Sequence, residues 1–382
     1  MQESKPTPMS DTHVRPLCFV ADRLRLARTI RGMTLNDLGQ AVGVSRQYVK
    51  QLETGARQPN DEMVECLTRA LCFDRFFLAR PVTHEILRTQ CRFRCLRATT
   101  RSAQDQAAAC VTLFHDLLAF LAMKLNLPKG DVPALSARSD NEIERAADYC
   151  RLRWRLGLDA PIGNMTQVLE QRMGAVMLGL RNMPSQIDGF LATGGARPIV
   201  VYNPAKYSAS RTRETGAHEA GHLVLTDGDD GTPEAELRMK LFAGALLVPR
   251  VGLEREFPCR VRWDWDAMVA LKRRWKVGLP MLIVRAFRLG LIGPNQYRNA
   301  FAGMPSALRD GSVGEPEHEP SDVIPEAFAG LHTYFGLTVE DVARELGCES
   351  DPDLLAGFAG VPGRPHRGAT PPNVVKLRRP VV

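Results

Sequence analysis

The segment His218-Glu219-Ala220-Gly221-His222 constrains the fold and chemistry of this chain more than any other. Histidines four residues apart lie about 40° apart around an α-helix, so both imidazoles can reach one metal ion. Glu219 lies beside them, where it can take a proton from an attacking water molecule. The segment therefore predicts a helix that binds zinc and catalyses hydrolysis, most often of a peptide bond. The alternative is an ordinary helix with two packed or solvated histidines.

Composition is that of a globular protein of the cytoplasm. The 382 residues and the hydrophobic content of 44% predict about two or three domains with substantial cores. The net charge of +7 suits contact with nucleic acid, although many other cytoplasmic proteins are equally basic. The nine cysteines are an odd number and lie mainly in apolar helical patterns, which is typical of reduced thiols. Neither export nor membrane insertion is predicted, because no signal-peptide pattern and no run of about 18 apolar residues is found.

Several short helices are predicted over residues 21–80, where apolar residues recur at three- and four-residue spacings. Thr34 is a candidate N-cap, with Asp37 at the third position of the helix that follows. Gly43 marks the turn that ends this helix, and Ser45 is the candidate cap of the next. The pattern predicts a helix, a tight turn and a second helix.

The segment from Thr34 to Gly55 resembles the helix-turn-helix of the phage-repressor-like (Xre or Cro/cI) class. The resemblance covers residues 21–80 and includes the apolar positions expected in the core: Leu38, Ala41, Val44, Val49 and Leu52. In such domains the second helix enters the major groove of double-stranded DNA. The resemblance therefore implies an operator as one partner, and a homodimer is one way of binding it.

The roles of individual residues in DNA binding follow from the same resemblance. Base contacts are implied for Arg46, Gln47 and Lys50. Phosphate contacts are implied for Thr34, Ser45 and Gln51. Leu35 stands where many relatives carry Gln, so one phosphate contact is expected to be absent. The alternative is a helical module that binds protein instead of DNA.

The third metal ligand must come from outside the histidine pair, because catalytic zinc usually takes three protein ligands and a water. The surroundings resemble the ImmA/IrrE metallopeptidase family, whose pattern is AHExGH followed by a helix reading E-x-x-A-x-x-F-A-x-x-L-L-x-P. Residues 217–222 and 236–249 match this pattern in large part. The resemblance implies that Glu236, six residues before Phe242, is the third zinc ligand. Many members of the family also place an Xre-type unit before the peptidase.

The match around the third ligand is imperfect. Met239 and Lys240 stand where relatives usually have Ala and then Asn or Asp, so the packing behind the ligand helix must differ. Glu236 also has an alternative interpretation as a solvated acid on a helix face. Other acids have suitable chemistry but no supporting spacing: Glu234, Asp227, Asp229 and Asp230.

A small sheet is predicted before the histidine helix, from apolar runs at residues 175–180, 187–192 and 198–202. A glycine-containing turn joins the last two runs into a hairpin, which could hold an extended peptide by adding it as a strand. A structural role is favoured for three residues near the motif: Tyr202, Tyr207 and Arg213. A metal or redox role of Cys91 and Cys95 stays open.

The predicted fold is mainly α with a small β-sheet (α+β): an all-α helix-turn-helix bundle, a zincin-like metallopeptidase domain and a helical C-terminal extension. Spacer helices are predicted over residues 107–126 and 142–156, the motif helix over 209–225, and a short C-terminal helix around 335–346. The predicted segments are a flexible lead (1–20), the helix-turn-helix domain (21–80), a helical spacer (81–160), the peptidase domain (161–305), a small helical segment (306–360) and a disordered basic tail (361–382).

Two functions fit these patterns. The first is a DNA-associated zinc endopeptidase that, by resemblance, cleaves a repressor-like regulator and releases genes of a stress response or mobile element, in the cytoplasm of a bacterium. The second is a transcription factor or antitoxin-like regulator whose peptidase-like domain binds metal or a partner and cuts nothing. Glu219 separates them, since a pure binding module has no reason to place an acid between two metal ligands. Hydrolysis of a non-peptide amide is chemically open.

Overall fold

The computed structural model divides the chain into two compact units. The described residues are 18–95, 99–180, 187–204, 206, 208–227, 231–258, 262–351, 354–355 and 358. Unit 1 contains residues 18–83 and 342–351, and unit 2 contains residues 84–341 with 354–355 and 358. Most of the predicted lead (1–20) and all of the predicted tail (361–382) lie outside the described residues. The division into six segments stays a prediction.

Unit 1 is built on short helices. They are α1 (Ala21–Ile30), α2 (Leu35–Val42), α3 (Arg46–Glu53), α4 (Asp61–Leu71) and α5 (Arg75–Ala79). Thr34 caps α2 by accepting a hydrogen bond from the Asp37 backbone N–H, and the Asp37 side chain accepts one from the Thr34 N–H. Gly43 is the left-handed C-cap of α2, and the Ser45 hydroxyl caps α3. The helix, turn and helix predicted from these caps are confirmed.

The core of unit 1 contains most, but not all, of the predicted apolar positions. Leu38, Val49 and Leu52 are fully buried, as predicted. Ala41 is exposed and Val44 half-buried, so the prediction of five core positions was wrong at Ala41. Ala41 lies in the last turn of α2, beside the exposed C-cap, where no side chain of the described residues buries it. A buried ion pair completes the core, because Arg28 Nε lies 2.6 Å from Glu53 Oε1.

The C-terminal helices depart from the prediction of one short helix around residues 335–346. Helix α16 (Val323–Phe335) ends at Gly336, whose φ of 67° only glycine adopts without strain, and α17 (Val339–Leu346) begins after it. Residues 342–351 belong to unit 1. There, Arg31 Nη1 lies 2.6 Å from Asp351 Oδ2, and the Asp74 N–H donates to the Gly347 carbonyl. The predicted helical piece was therefore wrong in its bounds.

Unit 2 contains a four-stranded mixed sheet. Its strands are β1 (Cys91–Cys95), β2 (Val176–Gly179), β3 (Ile187–Ala192) and β4 (Ile199–Tyr202). The order across the sheet is β1-β3-β4-β2; β3 pairs antiparallel with both β1 and β4, and β2 runs parallel to β4. The predicted strands and the β3–β4 hairpin are confirmed. Strand β1 lies within the predicted helical spacer, so that prediction was wrong at residues 91–95.

Unit 2 is otherwise helical. Its helices are α6 (Arg101–Lys124), α7 (Asp140–Arg153), α8 (Met165–Gln167) with a π-helical turn (Val168–Arg172), α9 (Ala209–Val224), α10 (Pro233–Leu247), α11 (Arg250–Glu256), α12 (Trp265–Trp275), α13 (Leu279–Arg288), α14 (Pro294–Ala302), α15 (Ser306–Arg309) and α16. Helices α6 and α9 pack against the sheet. The predicted fold class, mainly α with a small sheet, is confirmed. Helix α6 begins six residues before its predicted start, since Thr100 caps it.

Within the described residues, α6 is long and apolar enough to pass as a membrane span by length and composition. Its most apolar window has a mean hydropathy of 1.5, but 72% of that window is buried inside the protein. The core helix of a compact domain passes the same test. The structure therefore gives α6 the role of a core helix, with Val111, Phe114 and Leu117 fully buried.

A buried carboxylate joins the π-helical turn to the start of α16. Glu170 is 1% exposed and accepts hydrogen bonds from the Ser321 hydroxyl at 2.6 Å and the Asp322 N–H at 3.1 Å. It also accepts a longer bond from the Val323 N–H, so it takes the place of a side-chain cap at the helix N-terminus. Burial raises the pKa of Glu170 from 4.5 to about 7, because the loss of hydration outweighs these bonds.

This raised pKa predicts a pH-dependent stability. A carboxyl whose folded-state pKa lies above its unfolded value stabilises the fold below the unfolded pKa and loses that contribution as pH rises through about 7. Between pH 6 and 8 the loss is about 1 kcal/mol, or roughly 2–4 °C in Tm. We expect the Tm of the wild type to fall by that much more than the Tm of Glu170→Gln over this interval. Parallel Tm profiles in scanning calorimetry would show that Glu170 does not titrate there.

Candidate metal centre and DNA-reading helix

Helix α9 places the two histidines on one buried face against α10. Gly221 makes the close approach possible, since a Cβ at this position would lie 3.2 Å from Met239 Sδ and 3.4 Å from Met239 Cα. Met239 and Phe242 are fully buried behind the motif. The packing behind the ligand helix thus depends on the methionine that replaces the usual alanine, and the sulphur fills the space beside the glycine.

His218, His222 and Glu236 converge. The two Nε2 atoms are 3.2 Å apart, and Glu236 Oε2 and Oε1 lie 3.2 and 3.5 Å from His218 Nε2 and His222 Nε2. The histidine side chains are 2% and 3% exposed, while Glu236 is 38% exposed and borders the cleft. Of the described His, Cys, Asp and Glu residues, these are the group positioned to hold a metal ion. The histidines are therefore enclosed by protein, and the site is open to the cleft on the side of Glu236.

The donor set fits a divalent metal ion. Three ligand atoms about 2.0–2.1 Å from zinc at tetrahedral angles lie about 3.3–3.4 Å from one another, which is close to the three observed separations. Hydrogen bonds alone explain the arrangement poorly. If both imidazoles donated Nε2–H to Glu236, two donors would face each other at 3.2 Å. Contact with the two histidines holds the pKa of Glu236 well below its usual range, so the carboxylate is ionised and available as a ligand.

The other acids named as alternatives are placed elsewhere or are not described. Glu234 is exposed in the first turn of α10. Asp227 accepts a hydrogen bond from the Ser136 hydroxyl and lies 3.5 Å from Arg138 Nε. Asp229 and Asp230 lie outside the described residues. Of the candidate acids that the structure describes, Glu236 is thus the one that the fold brings to the histidines.

Glu219 lies beside the metal-binding group and lines the same cleft. The residue is 1% exposed, and both of its carboxylate oxygens are fully buried. The cleft has a volume of about 750 Å³. Its lining comprises Arg92, Phe93, Arg211, Glu214, Thr215, His218, Glu219, His222, Gly231, Glu236, Lys240, Ala243 and Met281. A cavity of this size can receive several residues of an extended peptide.

Strand β1 borders the cleft and is the edge strand on that side of the sheet. The hairpin was expected to add a peptide strand at its own edge, but β3 is paired on that side with β1. Arg92 and Phe93 of β1 reach the cleft lining, and the Phe93 ring packs on Phe190 of β3 at 4.6 Å. The edge strand beside the metal centre is therefore β1, and the prediction for the hairpin was wrong. The alternation in Cys-Arg-Phe-Arg-Cys was the available sequence signal for this strand.

Arg213 has a structural role, as favoured from the sequence. Its side chain is 1% exposed, pairs with Glu319 and donates to the Ile162 carbonyl at 2.8 Å. One turn earlier, the Ser210 N–H donates to Glu315 at 2.7 Å. These contacts fasten the start of α9 to residues 315–319. Tyr202 is half-buried in β4, and Tyr207 lies outside the described residues.

The Cys91 thiol lacks the exposure and low pKa of a reactive cysteine. Cys91 is buried in β1, and burial raises the pKa of its thiol to about 12. A raised pKa disfavours the thiolate, so Cys91 is a poor nucleophile, and a role as metal ligand stays open. The side chain of Cys95 lies outside the described residues, so its role stays untested.

Helix α3 presents the side chains predicted to read DNA. Arg46, Gln47 and Lys50 are exposed, while Val49 and Leu52 on the opposite face are fully buried. The predicted phosphate-binding residues Thr34 and Ser45 are exposed, and Gln51 is half-buried. Thr34 and Ser45 use their hydroxyl oxygens as helix caps, which leaves the hydroxyl hydrogens as donors. The arrangement presents a polar face of α3 to solvent, as a recognition helix does.

The two segments match known families. Residues 20–75 match the model of a helix-turn-helix domain family, and residues 168–287 match that of a peptidase family described as IrrE N-terminal-like domain. No curated protein matches the chain. The second match contains α9, α10 and the three converging side chains. The predicted resemblances are confirmed, and the chain combines a DNA-binding helix-turn-helix domain with a peptidase-like domain.

Proposed function

We propose that this chain is a transcriptional regulator whose peptidase-like domain is an active zinc endopeptidase, acting on a repressor-like protein. Its place of action is the cytoplasm of a bacterium, in a host or mobile-element context. The observation that carries the proposal is the convergence of His218, His222 and Glu236 beside the buried carboxylate of Glu219. This combination provides three ligands and a base in one cleft, which is the minimum set for metal-assisted hydrolysis.

The residues of the cleft have separate roles in this mechanism. Zinc, when bound, supplies positive charge that activates water and polarises the scissile carbonyl. The backbone of an extended substrate pairs with the outer edge of β1, where a sheet edge offers N–H and C=O groups. Glu219 takes the proton of the attacking water and delivers it to the leaving amine. Its burial keeps competing solvent away from that carboxylate.

The second candidate is a regulator that binds metal or a partner without catalysis. The specific observation in its favour is the helix-turn-helix domain, which is sufficient for operator binding by itself. Under this alternative the cleft and Glu219 have no chemical use. A cleavage assay separates the two candidates, because both bind DNA and both can hold zinc.

The substrate is sought among repressor-like products of the genes adjacent to this one. Purified protein loaded with zinc is mixed with each product, and fragments are followed by electrophoresis and mass spectrometry. We expect one product to be cut at a defined bond, and the cutting to stop when the metal is chelated. Intact products together with normal operator binding would favour the non-catalytic regulator.

The DNA-reading role of α3 predicts a loss of affinity in Arg46→Ala. A bidentate contact from arginine to guanine contributes about 1–3 kcal/mol, so the Kd for the selected operator should rise about 5- to 150-fold. The matched control is Arg69→Ala, which removes an exposed arginine of α4 in the same unit. Fluorescence anisotropy with a duplex selected from a random pool measures both. Equal affinities of the two variants would remove Arg46 from the interface.

A further inference from the structure

Lys240 is a basic residue placed beside the metal centre. It lies one helical turn after Glu236 on α10, so both side chains project from the same face of that helix. The side chain is exposed and lines the cleft. Within the described part of the chain, its ammonium group has no ion-pair partner. A strongly hydrated positive charge is therefore available at the wall of the cleft.

Two arginines add positive charge to the same cleft. Arg211 lies on α9, two turns before His218 and on the same face as Thr215 and His218. Arg92 enters the lining from the edge strand β1. The three basic residues thus come from three different elements that meet around the metal-binding group. Their charges act together on any ligand that lies along β1.

The acidic residues of the lining are Glu214, Glu219 and Glu236. Glu236 contacts both histidines, and Glu219 is buried beside them. Glu214 accepts a hydrogen bond from the Gly278 N–H at 2.7 Å, which ties it to the start of α13. None of these carboxylates forms an ion pair with Lys240. The lining thus holds three basic and three acidic residues, and a bound divalent ion would leave the cleft with a net positive charge.

We propose that this cleft selects peptides with Asp or Glu close to the scissile bond, an inference that rests on the proposed peptidase function. Along the helix axis, Lys240 lies about 6 Å from Glu236, and Arg211 lies about 10 Å from His218. An extended peptide advances about 3.3 Å per residue, so a peptide lying along these helices would bring its second and third residues from the scissile bond level with Lys240 and Arg211. Acidic side chains at those positions meet the basic wall, while lysine or arginine there is repelled.

The cleavage profile of a peptide library tests this selectivity. The zinc-loaded full chain is incubated with peptides generated from a whole proteome, and the new termini are sequenced by mass spectrometry. We expect Asp and Glu to be enriched about threefold or more within three residues of the cut bond. The enrichment should disappear in Lys240→Glu. It should persist in Lys129→Glu, which makes the same charge change at an exposed lysine outside the cleft.

A binding assay keeps this inference separate from the peptidase function. Zinc-loaded Glu219→Gln is titrated into a fluorescein-labelled decapeptide of alternating Glu and Ala, and into its Lys–Ala counterpart. We expect the acidic peptide to bind at least about tenfold more tightly at low salt, and Lys240→Glu in the same background to remove most of this preference. Acid-selective binding without any cleavage by the wild type would support the basic cleft and overturn the peptidase proposal.

Three results would overturn the inference itself. One is a cleavage profile without acidic enrichment. Another is an enrichment that Lys240→Glu leaves unchanged. The third is displacement of the acidic peptide by an oligothymidylate at equal charge concentration, since the basic wall would then be a nucleic-acid site. Each outcome is read on the full chain, with Lys129→Glu as the charge-matched control.

Discussion

Glu219→Gln is expected to lower kcat/KM for the cleaved repressor-like protein by about a thousandfold while the zinc content stays near one per chain. Glutamine has nearly the same shape as glutamate but cannot take a proton, so the base is lost and the packing around α9 is kept. General base catalysis contributes about 10²- to 10⁴-fold, which sets the size of the effect. Single-turnover cleavage assays and metal analysis on the same preparation measure the two quantities.

The companion measurement for Glu219→Gln is operator binding. Because α3 lies in unit 1 and Glu219 in unit 2, the variant should bind the selected operator with unchanged affinity. A variant that cuts as fast as the wild type would show that Glu219 is not the base. A variant that loses zinc as well would show that Glu219 supports the metal site instead.

His222→Ala is expected to lower the affinity for zinc by more than about a hundredfold and to abolish cleavage. Changes in the groups that merely orient metal ligands cost about 10- to 100-fold in metal affinity, and loss of a direct ligand costs more. The remaining pair of His218 and Glu236 cannot complete a three-ligand site. Competition with a fluorescent chelator measures the affinity, and Glu236→Ala should behave in the same direction.

The control for this metal prediction is His318→Ala. His318 is an exposed histidine in unit 2 and is not part of the converging group. Its removal should leave the zinc affinity and the cleavage rate at wild-type values. Zinc should also raise the Tm of the wild type and of His318→Ala, but not that of His222→Ala, because only the folded site binds the ion. Full zinc affinity in His222→Ala would remove that residue from the ligand set.

Much of the fold was predictable because local signals determine it. Thr34, Gly43 and Ser45 act through contacts within a few residues, so their roles as caps follow from spacing alone. The same holds for the motif helix, whose observed bounds differ from the prediction by one residue at the C-terminus. The hairpin of β3 and β4 likewise forms between neighbouring segments.

The features that were missed depend on contacts between distant parts of the chain. Strand β1 forms because β3, about a hundred residues later, offers it an edge. The ion pair of Arg31 and Asp351 joins residues 320 positions apart, and no local sequence pattern predicts it. The burial of Glu170 depends in the same way on residues 321–323. Sequence periodicity carries little information about such pairs.

More of the candidate metal centre than of the surrounding cleft could be predicted from the sequence. The spacing of His218 and His222 implied a shared ion, and the family resemblance supplied Glu236. The edge strand beside the cleft could not be derived, because it depends on which strand covers the outer side of β3. In the sequence Lys240 is only a departure from the family pattern, and its position in the cleft wall results from the packing of α10 beside α9.

The central claim, a peptidase that requires one metal ion at this site, is tested most directly by a zinc titration of metal-stripped protein. Cleavage of the repressor-like substrate is followed as zinc is added in steps. The claim predicts that activity rises in proportion to zinc and saturates at one equivalent per chain, while Glu219→Gln takes up the same equivalent and stays inactive. Cleavage by stripped protein, or no cleavage after one equivalent is bound, would contradict it.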